Sequence, residues 1–277
     1  MLTRRRIYTA LAAAVVTLVA GTLLLVRTDR TMTGTAVPGS LSGMAMPVGD
    51  LPGWRQVFAD DFDRTDLGEN WSPYDGVPKG DPDSRWRSAN ATVDGQALVL
   101  QGRYEGDQLT TAGLSNWRVH QTYGRWEIRV RVDASDDMTY AFLLWPQSEN
   151  WPPEIDFLED WGGDRQSGSA NVHWKTDTGR SKAKRTLDAD LTGWHTIGVE
   201  WLPGRLNYLI DGEPWAGFTG SEVPDEPMWM AVQSAAGGCA LRAADPSARQ
   251  CPVAGNPPDP RIEIDWVVVY APTDLPS

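Results

Sequence analysis

Glu154-Ile155-Asp156-Phe157-Leu158-Glu159 decides the reading of this chain: three carboxylates in six residues, interleaved with Ile, Phe and Leu. β-Branched and aromatic residues suit a pleated, half-buried surface, so the run predicts a strand. Side chains alternate along a strand with period two, which puts Glu154 and Asp156 on one face and Glu159 on the other. One extra residue at Phe157–Leu158, a β-bulge, would return Glu159 to the face of its neighbours; bulges beside active sites re-aim side chains in this way. Three acids would then share one patch. Two carboxyls about 5–5.5 Å apart are the equipment of a retaining glycosidase, one as nucleophile and one as general acid/base. Crowding of like charges raises one pKa and keeps that acid protonated near neutral pH. The same hexapeptide would also serve as a solvated acidic strand edge or a calcium loop, although an EF-hand loop needs Gly and Asn among its acids and this run has neither.

Around this run, short strand patterns recur. Tyr123 to Val132 alternates Trp, Ile, Val and Val against Arg, Glu, Arg and Arg, the period of a half-buried strand. Met138 to Trp145 is a nearly continuous apolar run, expected of a strand covered on both faces. Ala97–Gln101, Gly168–Trp174, His195–Trp201, Leu206–Ile210, Met228–Gln233 and Ile262–Tyr270 complete the set. No long amphipathic helix and no internal repeat stand out. Many short strands separated by turns predict an all-β chain, a jelly-roll sandwich whose concave face carries the acidic strand and a substrate cleft.

Composition agrees. The 277 residues contain 27 Gly and 20 Pro, which favour turns, and 14 Trp against 5 Phe. Net charge is −12, and the first 30 residues hold five Arg and one Asp, so the rest is more acidic still. Without a basic patch evident in the sequence, nucleic acid is excluded as a partner. An acidic, Trp-rich domain fits a neutral ligand with flat apolar faces, sugars foremost, although any single Trp serves equally as core.

Arg4–Arg6 precede Ile7–Val26, twenty residues without charge. This is an export segment, long enough to span a bilayer. With no clear cleavage site after it, residues 1–26 are expected to act as a signal anchor or a signal peptide, with the arginines cytoplasmic. The protein would be extracytoplasmic, membrane-anchored or secreted, and a monomer. Residues 27–52, rich in Thr, Gly, Pro and Met, are expected to form a flexible linker; the domain then occupies 53–272 and a tail 273–277. Export makes a disulfide between Cys239 and Cys251 the expected pairing, since a metal pair lacks a nearby His.

At this point the chain resembles glycoside hydrolase family 16, the laminarinase-like β-glucanase branch. Glu154-Ile155-Asp156-Phe157-Leu158-Glu159 is similar to the family's E-x-D-x-x-E, in the bulged spacing. Phe58–Phe62, Tyr123–Glu127, Trp194–Trp201, Ile210–Gly212 and Ile264–Tyr270 follow in the family's order. The resemblance implies Glu154 as nucleophile, Glu159 as general acid/base and Asp156 as the residue that holds the charge state of Glu154. It places His173 near the leaving-group side. Trp151 and Trp145 become candidates for sugar stacking, each with core packing as the alternative. Arg125 could bind a sugar hydroxyl or could form a salt bridge with Glu127. Asp265 matches the family's ligand for a structural calcium ion; no other cofactor is implied. Leu143 stands where common laminarinases have Trp, which puts that subsite in question.

The resulting expectation is a retaining endo-glycosidase hydrolysing a β-linked polysaccharide, a β-1,3- or β-1,3-1,4-glucan. The alternatives are a transglycosylase or galactan-type hydrolase on the same scaffold and, in another class, a non-catalytic glycan-binding module.

Overall fold

The computed structural model describes residues 40–79, 81–238 and 254–275. The expected export segment, the first part of the linker and both cysteines lie outside them. Among the described residues, no helix is long and apolar enough to cross a membrane.

The strands in chain order are β1 Trp54–Asp60, β2 Ser72–Pro73, β3 Ala91–Val93, β4 Leu98–Gln101, β5 Arg103–Glu105, β6 Gln108–Thr110, β7 Gly113–Gln121, β8 Gly124–Val132, β9 Met138–Pro146, β10 Glu154–Asp160, β11 Ser167–Thr176, β12 Gly179–Asp188, β13 His195–Leu202, β14 Arg205–Ile210, β15 Glu213–Thr219, β16 Met228–Ala236 and β17 Arg261–Pro272. β5 and β6 pair with each other, and the other strands form two antiparallel sheets, the all-β sandwich expected from the sequence. The first runs β15-β14-β13-β8-β17-β4-β3, with β1 also on β17; the second runs β12-β11-β10-β9-β16-β7-β2.

Period-two alternation builds the core between them. Trp126, Ile128 and Val130 of β8 and Ile197, Val199 and Trp201 of β13 meet Tyr140, Phe142 and Leu144 of β9 and Met228, Met230 and Val232 of β16. The acidic strand β10 lies in the middle of the second sheet, between β9 and β11. Ile155 points into the core, so Glu154 and Asp156 point outward.

The linker needs correction over 40–52. This segment is held against the outer face of the first sheet. Met44, Met46, Leu51 and Trp54 pack on Trp266, Val268 and Tyr270 of β17. The Asp265 carboxylate accepts from the Ser40 hydroxyl at 2.8 Å, the Leu41 amide at 3.1 Å and the Ser42 hydroxyl at 2.5 Å. The ordered body therefore begins well before residue 53. An aperiodic segment can be ordered when its apolar side chains pack on a sheet and a buried carboxylate satisfies its N–H and O–H groups.

The same contacts bear on the calcium ion expected at Asp265. Calcium takes six to eight oxygen ligands. Here the donors aimed at the carboxylate are hydroxyls and backbone N–H groups, and the Arg129 guanidinium is near enough to be stabilised by its charge. That arrangement fits a capped carboxylate and does not fit a cation.

Candidate active site

The bulge is present at the expected position. Against β9, Asp156 pairs with Leu143 but Leu158 with Phe142; against β11, Asp156 pairs with Asn171 but Glu159 with Ser169. Each shift amounts to one extra residue on β10. Phe157 and Leu158 both go into the core, and Glu159 emerges on the same face as Glu154 and Asp156.

Each acid has its own partner. Trp151, on the connection into β10, donates its indole N–H to Glu154 Oε2 at 2.6 Å. Asn171 of β11 donates its amide to Glu159 Oε2 at 2.6 Å, and Lys182 Nζ of β12 lies 3.9 Å from the same oxygen. Asp156 is 2% exposed, and His173 Nε2 lies 3.4 Å from its Oδ2. His173 stands opposite Glu154 in the β10–β11 register.

All three acids are pushed up from the ordinary carboxyl range, Glu154 to about 9. For each the first cause is burial, not the charge crowding that the sequence suggests; removing a carboxylate from water disfavours its ionised form. Asp156 and Glu159 add repulsion to Glu154, while the Trp151 N–H opposes the rise. Burial also pushes His173 down. Glu154 therefore favours its protonated form at neutral pH, and burial favours the neutral form of His173.

An open cleft of about 1190 Å³ lies alongside Glu154, lined by Trp86, Trp117, Trp145, Trp151, Trp229 and Tyr74 among others. Aromatic faces of this kind suit the apolar faces of pyranose rings. Trp145, a candidate from the sequence, sits on the outer face of β9 opposite Trp229 of β16 and donates to Glu149 Oε2 at 3.1 Å. Leu143 joins Ala141 and Ala231 in a small apolar patch beside these two tryptophans. Trp117 is 45% exposed in the same cleft.

Trp151 is placed differently from a free stacking platform. The Arg180 guanidinium lies over its ring at 4.8 Å, and the His173 ring packs against it at 5.5 Å. Its position favours holding Glu154 through the indole N–H.

Arg125 is not in the site. It lies on β8 of the other sheet, where Trp126 faces the core and Arg125 and Glu127 face away from it. Its guanidinium pairs with Glu127 and Glu200, each at 2.7 Å. The salt-bridge alternative describes this residue, and the sugar-binding role is withdrawn.

Glu154, Asp156 and His173 each bring a ligating atom to within 4.8 Å of the others, the one such trio found among the described residues. A cation there would compete with the indole N–H at Glu154 and with the protons that the buried acids retain.

Sequence reasoning missed Asn171, Lys182, Trp86, Trp117 and Trp229. Asn171 carried a usable signal: it is two residues before His173 and so shares its face. Trp229 carried another, since it alternates with Met228 and Met230, both core residues.

Residues 80–267 match the family profile described as Glycosyl hydrolases family 16. The β-glucanase of Rhodothermus marinus is 30% identical over 202 residues, covering 63% of this chain and 68% of that protein. The endo-1,3-1,4-β-glycanase ExsH of Rhizobium meliloti (strain 1021) is 28% identical over 180 residues, covering 62% of this chain; the match spans only 36% of ExsH. In fold, the chain is similar to the catalytic domain of an endo-1,3-β-glucanase (laminarinase) from Thermotoga petrophila RKU-1, with a TM-score of 0.67 at 22% identity over 82% of this chain and 100% of that one. A profile match across most of the sandwich, with the bulged acidic strand inside it, shows that the chain belongs to the glycosyl hydrolases of family 16.

Proposed function

We propose that this protein is a retaining endo-glycosidase that cleaves a β-1,3- or β-1,3-1,4-linked glucan by double displacement. The observation that carries this reading is the β10 bulge, which turns Glu154, Asp156 and Glu159 to one face beside an aromatic-lined cleft. The name of the Rhodothermus relative, a β-glucanase, supports the glucan backbone, and that of the Rhizobium relative, an endo-1,3-1,4-β-glycanase, supports the linkages.

In this reading Glu154 attacks the anomeric carbon while Glu159 protonates the departing glycosidic oxygen; Glu159 then deprotonates the water that releases the glycosyl-enzyme. Burial keeps Glu159 protonated for the first step, and Asn171 fixes its orientation. Glu154 must be ionised to attack, yet its own pKa is high. Asp156, in direct contact with Glu154, can take over its proton as Glu154 ionises against the Trp151 N–H. The positive charge that develops at the anomeric carbon further favours the anion. The apolar Ile7–Val26 segment supports a site of action outside the cytoplasm.

The test is reducing-end release from laminarin and mixed-linkage glucan, with Glu154→Gln as control and the anomer of the first product read by NMR. Retained configuration and loss of activity in the control support the reading. Inversion, or full activity in the control, would sink it. Longer products with little new reducing end would instead identify a transglycosylase.

A further inference from the structure

The chain is strongly acidic, yet one strand beside the catalytic acids is cationic. β12 pairs with β11 so that Lys184 stands opposite Asn171, Lys182 opposite His173 and Arg180 opposite Lys175. Cross-strand partners share a face, so all four cations project on the face that carries Glu154, Asp156 and Glu159. The alternate residues confirm this: Ala183 and Leu187 pack in the core, and Arg185 lies over Phe218 of the other sheet.

The row is graded in what it faces. Lys182 is 3.9 Å from Glu159. Lys175 and Arg180 line the cleft itself, and neither forms an ion pair among the described residues. Edge strands carry lysine to discourage pairing with other chains, but that needs only charge in solvent. Here a guanidinium reaches inward over Trp151, the side chain that holds Glu154. Cations gathered in a cleft concentrate an anionic ligand against the field of an acidic protein.

We propose that Lys175, Arg180, Lys182 and Lys184 form an anion-recognising subsite, and that the natural polysaccharide carries carboxylate or sulfate groups on its β-linked backbone at the sugars bound beside β12. This rests on the glycosidase reading above and narrows its substrate class. The neutral sugar faces stack in the aromatic part of the cleft, and the charged substituents meet the β11–β12 hairpin.

The full chain carrying Glu154→Gln is tested for binding to plain, carboxymethylated and sulfated laminarin at low and high salt. The expected result is tighter binding of a charged polymer, lost at high salt; whichever modification wins names the substituent. Lys175→Gln and Arg180→Gln together weaken the charged polymer about tenfold, at about threefold per exposed cation, and weaken plain laminarin by clearly less, through the Arg180 contact with Trp151. Both side chains are exposed, and an unchanged melting curve confirms folding. Equal binding of all three polymers, or equal weakening of plain laminarin by the double variant, would overturn the proposal. The two readings fail separately. Hydrolysis of plain laminarin without charge preference removes the subsite alone, whereas charge-selective binding without hydrolysis of any polymer by the unaltered chain removes the glycosidase alone.

Discussion

The indole N–H of Trp151 reaches Glu154 Oε2 at 2.6 Å, three residues along the chain. It is the first of the groups that oppose the rise in the Glu154 pKa, which loss of water and then Asp156 still drive up to about 9. The nucleophile's charge is thus favoured chiefly by an aromatic N–H supplied by the loop between β9 and β10, with His173 adding to it.

Replacing Trp151 by Phe keeps a ring and removes that donor. A hydrogen bond to a charged group contributes about 1.5–3 kcal/mol, equivalent to about one to two pKa units. The acidic limb of the kcat/KM profile should therefore move up by that amount. A loss uniform at every pH would show that Trp151 serves binding and not ionisation.

Glu159→Gln should lower turnover of a polysaccharide by about 10²–10⁴, the usual worth of a general acid. An aryl glycoside whose leaving group needs no proton should keep its first step, with release of the glycosyl-enzyme slowed. Asn171→Ala, which frees Glu159 Oε2 from its 2.6 Å donor, should give a smaller loss and alter the basic limb. If both substrates fall equally in Glu159→Gln, the acid/base assignment is wrong.

How much of this was legible in sequence follows from the range of the interactions. The acidic strand and its bulge are local: period-two alternation and one misplaced Glu suffice to infer them. The face of β8 is not local. Arg125 sits in a clean alternating strand, but nothing in that alternation tells which sheet it joins, and it joins the sheet away from the acids. The segment at 40–52 shows no periodicity because its order comes from Asp265, 225 residues away. β12 escaped notice because Ser181, Ala183 and Arg185 make a weak inward face; its partner β11 defines it. The role of Trp151 depends on the path of a loop, which no pattern encodes.

Stability should depend on pH through the same acids. Their folded pKa values are raised above the ordinary carboxyl range, so the folded state binds more protons than the unfolded one, for Glu154 between about pH 4.5, the unperturbed value, and about 9. Their contribution is fully present below that window and is lost as pH rises through it. Glu154→Gln removes the ionisation and should raise the melting temperature near pH 8 by about 2–8 °C, for a gain of about 1–2 kcal/mol. At pH 4 the variant and the parent should melt together. Equal melting at both pH values would mean that Glu154 ionises freely in the folded protein.

The Asp265 clamp gives a prediction independent of catalysis. Asp265→Ala removes the acceptor shared by the Ser40 and Ser42 hydroxyls and the Leu41 and Ser42 amides. Buried donors left unpaired cost about 1–3 kcal/mol, and the loss should also loosen Met44 and Met46 from Trp266. Urea denaturation should show lower stability, and hydrogen exchange should show faster exchange at residues 40–46. Because the carboxylate is already capped by N–H and O–H donors, a chelator should leave the parent's melting temperature unchanged. A chelator-induced drop reversed by calcium would show instead that a cation displaces Ser40 and Ser42 from Asp265, and the clamp would have to be read as the empty form of a metal site.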